Sequence, residues 1–125
     1  MSEYQPGVCN IGAAQRRRRF GYATAAAAVT VWYVAICLSG LLPRVLLVGV
    51  FVPLAVTFEW ALQAASAFCI GLALFGRYDF RGSGGEHGTV PDGVRRDDRV
   101  QAAKITVAAV SLAALVTGIV YLGLV

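Results

Sequence analysis

The sequence predicts an all-α integral membrane protein, a three-helix bundle with a long central helix. Three observations carry that expectation. Hydrophobic residues make up 58% of the 125-residue chain and its mean hydropathy is +0.66, more apolar than a water-soluble domain of this size. The stretch from Val45 to Gly76 is apolar except for Glu59, Gln63 and a few hydroxyls, with Arg44 and Arg77 at its ends. All but one of the basic residues, finally, fall on one side of the layer that such a bundle would cross.

The central stretch is long for a single crossing. At about 1.5 Å per residue it reaches about 48 Å, against a hydrocarbon core of about 30 Å. One helix would have to tilt, bend near Pro53 and run into the interface. The alternative divides the stretch at Glu59-Trp60, giving four short transmembrane helices; Trp and a carboxylate suit a membrane boundary. Both halves would then be short for a crossing, and no Gly, Asn or Pro lies between Ala55 and Ile70 to turn the chain. Charge decides between the two. Arg16–Arg19 precede the first apolar run, and Arg77, Arg81, Arg95, Arg96, Arg99 and Lys104 precede the last; only Arg44 lies in the short connection. With three spans, ten of the eleven basic residues share one face. The positive-inside rule makes that face cytoplasmic, in a multi-pass protein of the cell membrane.

The elements follow in order. Residues 1–19 form an N-terminal cytoplasmic segment, and residues 20–125 a single transmembrane domain. Within the segment, Pro6-Gly7 makes a turn, and Asn10 is placed to cap a short helix from Ile11 that brings Arg16–Arg19 to the membrane surface. The first span covers about 20–39. Its small residues Thr24, Ala27 and Ala28 suit close helix packing, though they suit contact with lipid equally. Gly40-Leu-Leu-Pro-Arg44 is a tight connection, and Pro43 can open the central helix, about 45–76. There Ala61, Ala64, Ala65, Ala67 and Gly71 suggest a packed face. Residues 77–104 read as a flexible loop with a turn or two of surface helix near its end. The last span, about 105–125, carries Ala114 and Gly118 as its small-xxx-small pair.

Few residues could carry chemistry. Glu59 lies near the middle of the apolar stretch, where a charge is costly and commonly functional, and Gln63 and Ser66 continue one helix face. That stripe could be a proton or cation path. Its plainer reading is a carboxyl hydrogen-bonded to Gln63 or to hydroxyls of neighbouring helices. The three cysteines, Cys9, Cys37 and Cys69, form no CxxC and have no metal-ligand spacing, so the sequence predicts no metal and no other cofactor. His87 stands alone, and no nucleophile triad or phosphate-binding loop occurs, so no enzyme is predicted. The formal charge of +4 sits beside apolar runs, which fits topology and anionic lipid rather than nucleic acid.

The segment Tyr4-Gln-Pro-Gly-Val-Cys-Asn-Ile-Gly12 with Arg16–Arg19, and the pair of motifs Leu62-Gln63-Ala64 and Phe68-Cys69, resemble a group of small prokaryotic multi-pass membrane proteins of unknown function. The resemblance implies no reaction. It implies a common role for Cys9, Asn10, Gln63 and Cys69, and a small residue in place of Glu59. The leading expectation is a structural or accessory protein that packs with itself, as a homo-oligomer, or with a larger membrane complex. The others are a small oligomeric transporter or channel using Glu59, and a thiol redox or metal-handling protein using Cys9 and Cys69. The three-span topology also brings Cys9 and Cys69 to one end of the bundle, with Asn10 satisfying exposed helix-end groups there.

Overall fold

The computed structural model describes residues 3–82 and 84–125; Met1, Ser2 and Ser83, the last in the expected glycine-rich loop, lie outside them. Helix α1 is Ala13–Leu38. A 3-10 segment, Arg44–Val50, runs directly into helix α2, Phe51–Ser66, and the two form one apolar rod of 23 residues. Pro53 stands in the first turn of α2, just past the change from tight to regular helix. Helix α3, Ile70–Leu74, is a single short turn. Strands β1, Arg77–Asp79, and β2, His87–Thr89, pair antiparallel with Tyr78 opposite Gly88. A 3-10 turn at Asp92–Val94 then opens helix α4, Arg95–Leu124.

Three helices are thus long and apolar enough to cross a membrane, as the three-helix bundle requires. The rod of α2 packs against both α1 and α4, so it is central in space as well as in sequence. Its upper half meets them through Val50, Leu54 and Ala113, with Tyr33, Phe58 and Val116 around them. Large apolar side chains on all three helices face outwards: Trp32 is 68% exposed, Val52 64% and Ile119 65%.

The ends of the bundle are fixed by polar contacts. At one end the Tyr33 hydroxyl donates to the Leu46 carbonyl at 2.6 Å, and Arg44 Nη1 donates to the Leu124 carbonyl at 3.4 Å. At the other, the N-terminal segment hydrogen-bonds to β1, Gly12 N to Asp79 O at 3.3 Å and Asp79 N to Asn10 O at 2.8 Å. The N-terminus and the hairpin therefore share one end, as three crossings demand.

Several local expectations change. Gly12, not Asn10, stands at the N-cap of α1, which starts at Ala13 and carries Arg16–Arg19 within its first turns. The buried residues of α1 are Arg19, Ala23, Thr30 and Cys37, while Ala27 is half-buried and Thr24 and Ala28 are exposed. In α4, Ala109, Ala113 and Thr117 face the bundle, and Ala114 points away. The segment 77–104 holds a hairpin and the first turns of α4 rather than one irregular loop. The central apolar run, finally, does not continue as helix to Gly76; it breaks at Ala67.

Candidate functional site

The break gathers a set of buried hydrogen bonds between remote parts of the chain. Ala67 adopts a left-handed conformation, φ 51 and ψ 44, a region that glycine ordinarily fills at helix ends. Phe68 N donates to Gln63 O at 3.0 Å and Ala67 N to Ala64 O at 3.3 Å. This is the Schellman pattern, completed by the packing of Phe68 with Leu62. Cys69 follows in extended backbone, so Phe68 and Cys69 leave on opposite sides. Phe68 joins Ala102 and Ile105 of α4, and Cys69 joins Cys9, Ile11, Ala67 and Phe80 beneath the bundle.

A break inside an apolar run frees backbone groups that need partners. The N-terminal segment supplies them. Asn10, fully buried, accepts from Cys69 N through Oδ1 at 2.6 Å and donates from Nδ2 to Cys69 O at 3.0 Å. One side-chain amide thereby bonds both polar groups of one residue, whose carbonyl also accepts from Ala73 N at 3.1 Å. The main chain of the same segment adds Asn10 N and Ile11 N to the Ala67 carbonyl, at 3.0 and 3.3 Å. Gln63 accepts from Ile70 N at 3.3 Å, and Arg16 Nε donates to the Ala64 carbonyl at 2.8 Å. The expectation that Asn10 satisfies helix-end groups beside Cys69 matches this geometry. Cys9 and Cys69 are buried free thiols in the same apolar cluster.

A second anchor holds the segment from the other side. Asp98, fully buried at the start of α4, accepts the Tyr4 hydroxyl at 2.7 Å and Gly7 N at 2.8 Å. Gly7 has φ +68 in the Pro6-Gly7 turn, and a side chain there would crowd Asp97. Tyr4 stacks on Tyr78 of β1 with ring centroids 5.1 Å apart. Burial, and then the Asp98 carboxylate, push the Tyr4 phenol well above its usual range. Burial likewise pushes the Cys9 thiol up, which suppresses the thiolate and its reactivity. The hairpin is braced by Arg81, whose hydrogen bond and charge hold the Asp79 carboxyl below its ordinary value.

Glu59 lies elsewhere. Because α2 ends at Ser66, Glu59 is about two turns, or about 10 Å, from a helix end. It accepts from the Thr106 hydroxyl of α4 at 3.1 Å, two residues beyond Lys104. The adjacent Trp60 meets Tyr22 edge to face at 5.1 Å, with the Arg19 guanidinium 5.9 Å from its ring centroid. Aromatic, basic and acidic groups thus meet at one level of the bundle. Gln63, expected to continue a stripe from Glu59, turns instead to the backbone at the break.

Of the candidate residues, the structure brings together Cys9, Asn10, Gln63 and Cys69 and leaves Glu59 apart. Sequence reasoning missed Tyr4 and Asp98 as a buried pair and Arg16 as the cap of α2. The only signal for the pair was a carboxylate doublet, Asp97-Asp98, within a run of arginines. Among the described residues no group of His, Cys, Asp and Glu could hold a metal ion. Compared with protein-family models, with curated proteins and with solved structures, the chain matches none.

Proposed function

We propose that this chain is a structural or accessory protein of the cell membrane, which packs with itself or with a larger membrane complex and catalyses no reaction. The N-terminus and the hairpin face the cytoplasm. One observation carries the reading: the polar groups of the end that holds the N-terminal segment turn inward to hold the fold, while outward faces of the long helices are apolar. Asn10, Gln63, Arg16 and Asp98 are all spent on backbone or side chains of the chain itself. The surface that remains for partners is the apolar belt of α1, α2 and α4. Purification from native membranes in mild detergent, with light scattering and cross-linking, tests the reading. A particle larger than one chain, or a stoichiometric co-purifying protein, is expected; a lone monomer that also fails to cross-link in the membrane contradicts it.

Two other readings rest on single contacts. The Glu59–Thr106 hydrogen bond at the α2–α4 interface favours a transporter or channel; proton flux in liposomes that Glu59→Gln abolishes would support it. The common cluster of Cys9 and Cys69 favours a thiol function. Slow alkylation of both thiols in the folded protein would count against it.

A further inference from the structure

Lys104 is the last charged residue of α4, and the uncharged part of the helix beyond it, residues 105–124, is about 30 Å long, about the thickness of the hydrocarbon. Two hollows meet at this side chain. The one towards the N-terminus of α4, about 260 Å³, is walled by the Pro6-Gly7 turn and by Arg96, Asp97 and Gln101. The other, about 450 Å³, continues along α4 over Ala103, Val107 and Ala108 and is apolar apart from Lys104. Val100 and Lys104 line both. The helix dictates this continuity, because positions 96, 100, 104 and 107 recur three or four residues apart on one face. All four of these side chains are exposed, Val107 at 65%, and neither Arg96 nor Lys104 makes an ion pair among the described residues.

We infer that this face of α4 is a binding site for one anionic phospholipid. Arg96 and Lys104 receive the phosphate and headgroup in the polar hollow, and an acyl chain lies along Ala103, Val107 and Ala108. Charge complementarity chooses the occupant. Two unpaired cations stand against the single carboxylate of Asp97, at the level where headgroup phosphates lie, and the hollow below them accepts only hydrocarbon. A zwitterionic lipid brings an ammonium group against the same cations and gains less. The turn that walls the polar hollow is held by the Gly7–Asp98 hydrogen bond, so the site is part of the folded chain and not a passing feature of a bare helix.

The test is native mass spectrometry of the delipidated full chain in detergent, titrated with phosphatidylglycerol or with phosphatidylcholine. A single phosphatidylglycerol adduct is expected, unaffected by millimolar inorganic phosphate, with phosphatidylcholine held much more weakly. Arg96→Gln with Lys104→Gln should weaken the adduct about thirtyfold, from about fivefold per lost cation. Arg18→Gln with Arg99→Gln removes equal charge from exposed residues that line neither hollow, and should leave the adduct nearly unchanged. Ala103→Trp fills the apolar hollow without altering charge and should weaken it severalfold, which keeps the test open if the charge variant misfolds. Equal weakening by both charge pairs, equal retention of the two lipids, displacement by inorganic phosphate, or a second copy of the chain in place of lipid would each overturn the proposal.

Discussion

The two halves of the bundle are held by different means. Around Val50, Leu54 and Ala113 the helices meet through apolar side chains, and the backbone looks after itself within each helix. Around Ala67 the backbone is interrupted, and residues 59 positions apart in sequence complete one another's hydrogen bonds. In lipid, apolar packing gains little from exclusion of water, because the alternative surroundings are equally apolar. A peptide group left unpaired within the buried break costs several kcal/mol. The polar end should therefore hold more of the structure per residue than the apolar half.

Asn10→Leu should reveal the largest difference. It leaves the buried amide of Cys69 without a partner, at a cost of about 3 kcal/mol, while the Cys69 carbonyl keeps its bond from Ala73 N. Val50→Ala at the apolar half should cost about 1 kcal/mol, as loss of packing alone. Reversible unfolding in mixed micelles measures both; equal costs would erase the distinction. Ala67 sharpens it. Its left-handed backbone carries a penalty of about 1 kcal/mol that glycine does not. Ala67→Gly should thus be neutral or stabilising by up to about 1 kcal/mol, and Ala67→Val destabilising by about 2 kcal/mol. If Ala67→Gly is strongly destabilising in the same assay, Cβ packing rather than backbone conformation governs the break.

A smaller effect is expected from pH. Tyr4 keeps its proton well beyond the ordinary value of 10.0 in the folded chain. Above that pH the unfolded chain binds fewer protons than the folded one, so stability falls as pH rises. The contribution is complete below about pH 10 and is lost through the alkaline range above it. Cys9, also raised, adds a loss of the same sign beginning near 9.0. Asp79 acts oppositely: its lowered value contributes stability that is lost as pH falls through and below 3.8. Tyr4→Phe should cost about 1–2 kcal/mol at pH 7, for a hydrogen bond to a carboxylate, and should flatten the alkaline slope. An unchanged slope in a pH series of unfolding curves would remove Tyr4 from the account.

The contrast between the halves also explains what was legible in the sequence. Apolar length and the distribution of arginine predict the three long helices, because those properties belong to single segments. The break was hidden because its left-handed residue is alanine, which carries no stop signal, where glycine would have announced it. The hairpin was hidden because Arg77-Tyr-Asp79 and His87-Gly-Thr89 show no apolar alternation. Glu59 is mid-run only when the whole apolar stretch is one helix; with α2 ending at Ser66 it lies about two turns from a helix end. Asn10 beside Cys69 was reachable from topology alone, since both had to lie at one end. Its bidentate bond to the backbone, and the grip of Asp98 on Tyr4 and Gly7, depend on side-chain geometry between remote positions that no local pattern encodes.

The central claim is that the N-terminal segment is a built-in part of the bundle, closing the break through Asn10. Amide hydrogen exchange at Cys69, followed by NMR in micelles, tests it most directly. With its N–H bound to Asn10 Oδ1 at 2.6 Å in a buried setting, Cys69 should exchange as slowly as the core amides of α2. In Asn10→Ala it should exchange at least a hundredfold faster, about 3 kcal/mol less protection at 1.4 kcal/mol per tenfold. Rapid exchange of Cys69 in the wild-type protein, at the rate of an open loop, would contradict the claim.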